Sequence, residues 1–265
     1  MQNDLSSIYL KIFLELLIAV FVFSSINLFG QQNQKNFKIK TSMVKYLSGK
    51  DTVTAYLAEP EGRGPFPALI VIHEWWGLTN WIKQNADDFA KKGYVSLAID
   101  LYRGKSTGVP KVARELMMSV PEERSANDLK SAFSFLENKS NVNKHKIGSI
   151  GWCMGGGYSL QAALNGNNLA ACVINYGSTV TDENQLKKIN CPILGIFGEK
   201  DPNLTPKVVK EFKYALDKAG KQNKIIDYKD VSHAFMNPGN KTGYSKPVSE
   251  KAWKEIYTFL YKNLK

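Results

Sequence analysis

The sequence is short of cysteine, histidine and arginine, and each scarcity narrows what the chain can be. Its three cysteines, Cys153, Cys172 and Cys191, include no Cys-x-x-Cys pair. They cannot make a disulfide scaffold, and at least one thiol stays unpaired or bridges to another chain. Arginine occurs only at positions 63, 103, 114 and 124, so the formal net charge of +11 is built almost wholly from lysine. Those lysines are scattered through "KNFKIK", "QLKKIN" and "YALDKAGKQNK" and are not massed on one element with interleaved aromatics. That pattern reads as a solvated basic surface and not as a nucleic-acid site, with some attraction to anionic lipid or polyanions as the remaining alternative. No Walker lysine and no Gly-x-Gly-x-x-Gly with a distal acid is present, and no fixed-period repeat or low-complexity tract suggests a solenoid or a disordered chain.

What is present is an apolar fraction of 43% in 265 residues, enough for a substantial core. The start stands apart: "MQNDLSSIYLK", then "IFLELLIAVFVFSSINLFG", then the polar "QQNQKN". A polar opening, an apolar stretch and a small residue before Gln31 read as a secretory signal peptide cut after Gly30. An uncleaved membrane anchor or a buried first helix of a cytosolic protein are the alternatives. Residues 1–30 are therefore set apart from a single catalytic-size domain over residues 31–265, expected to be exported, periplasmic or secreted, and monomeric.

From Phe37 to Leu57 the alternation of "FKIKTSMVKY" and "DTVTAYLAEP" across "LSGK" predicts an antiparallel hairpin. Beyond it strand and helix alternate. "FPALIVIHE", "YVSLAIDLY", "KIGSIGW", "LAACVINYG", "PILGIFGEKD" and "KIIDY" read as strands. Helices follow in "TNWIKQNADDFAKKG", capped by Thr79 or Asn80, in "PEERSANDLKSAFSFLENK", in "GGGYSLQAAL" and near Glu183–Ile189. The last two are "TPKVVKEFKYALDKAG", capped by Thr205 with Pro206 in its first turn, and "SEKAWKEIYTFLYKNL". The rhythm predicts an α/β fold with a mostly parallel central sheet, an antiparallel N-terminal hairpin and helices on both faces. In such sheets the chemistry gathers at the carboxyl ends of the strands.

Cys153 lies at such an end, in Gly-x-Cys-x-Gly. Gly151 and Gly155 permit a sharp strand-to-helix turn with the sulfur exposed, the following helix points its amino end at that sulfur, and the Met154 amide faces a developing oxyanion. The pattern matches a nucleophile elbow with cysteine for serine; a structural turn or a phosphate cradle is the alternative. Of the three histidines, only His233 in "KDVSHAF" follows the nucleophile and lies beyond the last strand, as a base must, whereas His145 belongs to the opposite end of the sheet. Asp201 in "GEKDP" is the candidate orienting acid, with Glu199 its competitor. Cys172 and Cys191 sit in apolar runs as buried thiols. "ALIVIHEWWGL" places His73 and Glu74 at the active edge, with the Trp75 amide as second oxyanion donor. Glu74 holds the resting thiol or is a salt-bridged loop acid, and Trp75 and Trp76 line a pocket or pack on the next helix.

In this order "HEWWGL", "AIDLY", "GWCMGG", "GEKDP" and "SHAF" resemble the dienelactone hydrolase family of α/β-hydrolases over roughly residues 45–263. The resemblance implies a Cys153, Asp201, His233 triad, with Glu74 paired to the resting thiol and displaced when substrate binds. It implies attack on an ester or lactone through an acyl-enzyme without metal or cofactor, and a small-molecule substrate with no nucleic-acid partner. Membrane contact would come only through an uncleaved N-terminal segment. Family members acting on dienelactone grip its carboxylate with two arginines. Here Arg103 falls one position from the first, and Met236 stands just after "HAF", so a different small ester, lactone or thioester is expected, with Arg103, Trp76 and Met236 as substrate-binding positions. A non-catalytic binding protein or a thiol redox protein on the same fold is the alternative.

Overall fold

The structure, a computed structural model, describes residues 36–265; the proposed signal or anchor segment, residues 1–30, lies outside the described residues. Alternation does build the hairpin: β1 (Ile39–Ser48) pairs antiparallel with β2 (Asp51–Pro60), and Tyr46 and Val53 turn inward while Met43 and Leu47 stay exposed. The continuous apolar runs become central strands. These are β3 (Phe66–Ile72), β4 (Val95–Ile99), β5 (Val142–Trp152), β6 (Ala171–Asn175), β7 (Ile193–Gly198) and β8 (Asn223–Tyr228). Leu69, Ile70, Val71 and Ile72 of β3 are wholly buried, each such side chain stabilising the fold by about 1.5–3 kcal/mol relative to exposure. The strands form one eight-stranded sheet in the order β1-β2-β4-β3-β5-β6-β7-β8, parallel from β4 to β8 and antiparallel only where β2 meets β1 and β4.

Seven helices are described: α1 (Asn80–Lys91), α2 (Pro110–Met118), α3 (Glu122–Glu137), α4 (Met154–Leu164), α5 (Glu183–Leu186), α6 (Pro206–Lys218) and α7 (Lys246–Leu264). Strand β5 shows how they flank the sheet. Ser149 bonds Ser159 of α4 at 2.8 Å, while Trp152, of opposite parity along the strand, packs its ring on Trp81 of α1 and Trp253 of α7. The two sets of helices therefore cover opposite faces.

Three local expectations are corrected. Thr79 and Thr205 sit at N-cap positions in extended backbone, but neither side chain makes a capping bond; the side chain that does cap is Asp182, which accepts from the Asn184 and Gln185 amides. The short helix near residue 183 stops at Leu186. Helix α2 is additional, started by Pro110 at its first position.

Candidate active site

The carboxyl ends of the parallel strands bring together residues far apart in sequence: Glu74 beyond β3, Cys153 at the end of β5, Asp201 beyond β7 and His233 beyond β8. Cys153 has φ 55° and ψ −120°, a backbone state that costs a non-glycine residue about 1–3 kcal/mol. Its neighbours make the turn possible. A Cβ on Gly151 would lie 2.0 Å from the Gly155 carbonyl oxygen, and one on Gly155 would lie 2.3 Å from that of Ile72. The turn is tied down by the Cys153 amide, which donates to the Asn175 carbonyl at 3.0 Å, and by the Gly156 amide, which donates back to Cys153 at 3.0 Å. The thiol is left partly exposed at the head of α4.

The Cys153 sulfur faces His233, and the other side of that imidazole is held by Asp201, Nδ1 to Oδ2 at 2.5 Å. Burial opposes a charged imidazole here, but the Asp201 bond and the facing sulfur outweigh it and push His233 up to about 10. Asp201 is buried, which disfavours its charge. The imidazole and the backbone amides of Asn203 and Leu204, donating at 2.9 and 3.1 Å, more than compensate and hold it below the usual carboxylate range. Tyr176, itself at φ 38°, sets its ring edge-on to His233 with centroids 5.3 Å apart. Glu199 is half-buried and donates its amide to the Tyr228 carbonyl; it has no bond to His233. His145 is exposed, within the early part of β5.

Two backbone amides belong to residues that line the same cavity as the thiol. Among the described residues, the N–H groups of Trp75 and Met154 have no protein acceptor, as donors reserved for a ligand oxygen must be. The Trp75 loop is fixed from below by His73. Wholly buried, His73 engages the Glu74 carbonyl through Nδ1 at 2.5 Å, and its Nε2 accepts from the Leu101 amide at 3.2 Å. Accepting at Nε2 makes Nδ1 the donor, a neutral tautomer that agrees with the downward push of burial on this imidazole.

Glu74 is buried, and burial pushes its carboxyl up to about 7 against the opposing effects of an Asn237 hydrogen bond and the His233 charge. Its bonded partner corrects the expectation: Asn237 Nδ2 donates to Oε2 at 2.6 Å, and the thiol faces the imidazole instead. Asn237 is oriented in turn by the Gly239 amide, which donates to Oδ1 at 2.8 Å. Asn237 and Tyr176 are the site residues that the sequence reading missed. The only signal for Asn237 was its place four residues beyond His233 in "HAFMN".

Cys153, His233, Glu74, Trp75, Trp76 and Met154 line one cavity of about 1070 Å³, and Asn237 and Tyr176 share its wall. The Trp75 and Trp76 rings lie with centroids 4.7 Å apart, tilted by 58° to one another. Arg103 and Met236 do not line it. The Arg103 guanidinium makes a two-pronged bond to buried Asp128, 2.8 and 2.9 Å, and a third to Asp51 at 2.8 Å, which turns it away. Met236 is 1% exposed, part of the core beside the site and not its surface.

The profile of the dienelactone hydrolase family matches residues 53–264. This chain belongs to that family. Protein usf of Aquifex pyrophilus is 32% identical over 224 residues, covering 82% of this chain and 96% of its own. A candidate carboxymethylenebutenolidase of Saccharolobus solfataricus is 31% identical over 254 residues, covering 81% and 96%. The crystal structure of a candidate dienelactone hydrolase from Klebsiella pneumoniae superposes with a TM-score of 0.77 at 25% identity, over 84% of this chain and 99% of that one. The matched span holds every site residue named above, so the elbow, the loop after β3 and the loop after β8 all lie within the dienelactone hydrolase unit. The protein is a hydrolase of this family.

Proposed function

We propose that this hydrolase cleaves a carboxylic ester or lactone with Cys153 as nucleophile, His233 as acid and base, and Asp201 as the residue that orients the imidazole. One observation carries the reading: the unbroken series Asp201, His233, Cys153 beside two amides with no protein acceptor. The thiolate attacks the carbonyl carbon, a C–S bond forms, and the carbonyl π pair moves to oxygen, which the Trp75 and Met154 amides receive. Collapse of this intermediate breaks the C–O bond, and the departing alkoxide takes the imidazolium proton. A water molecule then gives a proton to the neutral imidazole and attacks the thioester. The C–S bond breaks, the carboxylic acid leaves, and the thiolate and imidazolium are restored. Asp201 keeps its negative charge throughout, which favours the imidazolium that this cycle needs twice.

The test is hydrolysis of p-nitrophenyl acetate by the full chain, with and without stoichiometric iodoacetamide, beside Cys153→Ala and His233→Ala. The reading requires turnover that falls at least 100-fold in both variants and on alkylation. Equal turnover in all of them would sink the triad. We further propose that residues 1–30 direct export; N-terminal sequencing of the processed protein should then begin at Gln31.

A further inference from the structure

Three features of the cavity bear on what enters it. First, its wall is aromatic and aliphatic: Trp75, Trp76, Trp81, Met117 and Leu204 supply broad apolar surface, and about 1070 Å³ is at the upper end of what drug-sized ligands fill. Second, it offers no buried cation to an anionic substrate group. Arg103 is consumed by Asp128 and Asp51, the His233 charge is already matched by Asp201 and the sulfur, and Lys241 stands on the exposed rim. Glu74 at the cavity wall repels a second carboxylate whenever it is ionised. Asn203, Asn240 and Thr242 add neutral polar groups to the wall, but a carboxylate drawn against the tryptophans would lose its hydration with no buried cation to replace it.

Third, a second compartment of about 480 Å³ borders the first, shares Met117, Met154 and Ser178 with it, and is lined by Tyr158, Leu160, Leu164 and Val180 together with Glu122, Gln185 and Lys188. Met154 thus supplies both the amide beside the reacting carbonyl and part of the partition to the second compartment. Met117 is the adaptable part of this partition, because an unbranched thioether changes rotamer at little cost, whereas the Met154 sulfur accepts from the Tyr102 hydroxyl at 3.1 Å.

Resting on the hydrolase reading above, we propose that the substrate is an uncharged ester with an extended apolar arm, and not a small carboxylate-bearing lactone. The arm runs from the reacting carbonyl along the tryptophan wall and over the methionine partition. Binding selectivity comes from apolar area, and a terminal charge is rejected.

The test compares kcat/KM of the full chain for p-nitrophenyl acetate, p-nitrophenyl hexanoate and mono-p-nitrophenyl adipate. Hexanoate adds four methylenes to acetate, and about three- to fourfold per buried methylene sets a ceiling on the order of 100- to 200-fold. A gain of at least about tenfold is expected. Adipate carries a carboxylate at the same chain length and should fall at least about tenfold below hexanoate, at low and high salt. Hexanoate no better than acetate, or adipate equal to hexanoate, overturns the inference while leaving the hydrolase reading intact. In Cys153→Ala, quenching of tryptophan fluorescence by methyl hexanoate and by monomethyl adipate reads the same preference without catalysis. Tighter binding of the neutral ester by a protein that turns over none of the three would sink the ester-hydrolysis reading, and with it the substrate, while keeping the cavity's preference for an uncharged apolar ligand. Leu164→Trp, which fills the second compartment, should lower the decanoate-to-butyrate ratio of kcat/KM at least about fivefold. That ratio is independent of how much of the preparation is folded, and an unchanged ratio refutes the passage of the arm into the second compartment.

Discussion

Glu74→Gln should gain stability on the parent protein as pH rises from 4.5 to above 7. Burial raises the Glu74 carboxyl from its ordinary 4.5 to about 7. Between those values the folded chain holds a proton that the unfolded chain has released, so stability falls as pH rises through this window. The gap of about 2.5 in pKa, at about 1.36 kcal/mol each, gives a loss of about 3 kcal/mol by pH 8. Glutamine removes that titration and keeps an amide oxygen to accept from Asn237. Its extra N–H adds an offset that does not vary with pH. Urea unfolding at 25 °C under reducing conditions, at intervals from pH 4.5 to 8.5, should therefore show the variant gaining on the parent by about 3 kcal/mol across the series, most steeply between pH 5 and 7. A difference flat to within about 0.5 kcal/mol would mean that Glu74 ionises as easily in the folded chain as in the unfolded one, which the single bond to Asn237 does not explain.

Other perturbations separate scaffold from chemistry. Gly155→Ala places a Cβ 2.3 Å from the Ile72 oxygen and 2.5 Å from that of His73; a cost of about 3 kcal/mol should lower Tm by about 6–12 °C in calorimetry. Arg103→Leu strands the buried Asp128 carboxylate and should cost about 3–5 kcal/mol in urea unfolding, while kcat/KM of the folded fraction stays within about twofold because the guanidinium does not reach the cavity. His73→Phe removes both bonds that set the Trp75 loop; kcat should fall about 10- to 100-fold while the rate of Cys153 alkylation by iodoacetamide is unchanged, and equal losses in both would assign His73 a general structural role. Release of an alkyl alcohol draws on the imidazolium proton, so kcat/KM for methyl esters should fall on the alkaline side with a midpoint near 10, where His233 loses that proton.

Where sequence dictated structure, it did so through local physics. A run such as "ALIVI" has no polar face to offer solvent and is stable only inside a sheet covered on both sides, and the β1–β2 hairpin announced itself by inward Tyr46 and Val53 against outward Met43 and Leu47. Helix α2 escaped because its apolar residues do not mark a buried stripe: Val112 and Met118 are exposed and only Ala113 is buried. The elbow was visible because two of its glycines are needed by backbone approach, a demand written in the chain itself. Pairings across the fold were not. Nothing local shows that Arg103 will find Asp128, or that an asparagine in the turn-forming "NPG" will reach 163 positions back to Glu74. Met236 and Asn237 exchange roles on a single step of chain direction, the first to the core and the second to the cavity.

The two carboxylates of the site show how environment, and not residue type, divides the labour. Asp201 and Glu74 are both buried, to 2% exposure each. Asp201 accepts from two backbone amides and an imidazole, three donors that stabilise its charge, and it stays ionised below the ordinary range. Glu74 accepts from one side-chain amide and is held up at about 7. Near neutrality the first is a fixed charge and the second is close to its midpoint, so a small change at Asn237 tips it. Displacing that amide removes a bond to the charged form and pushes the Glu74 carboxyl further up, toward its protonated form. Asn237→Ala removes the one bond that opposes burial and should raise the Glu74 carboxyl further; urea unfolding over the same pH series should then show the Glu74-linked loss of stability displaced to higher pH, and an unmoved window would mean that the Asn237 amide does not hold this carboxyl down.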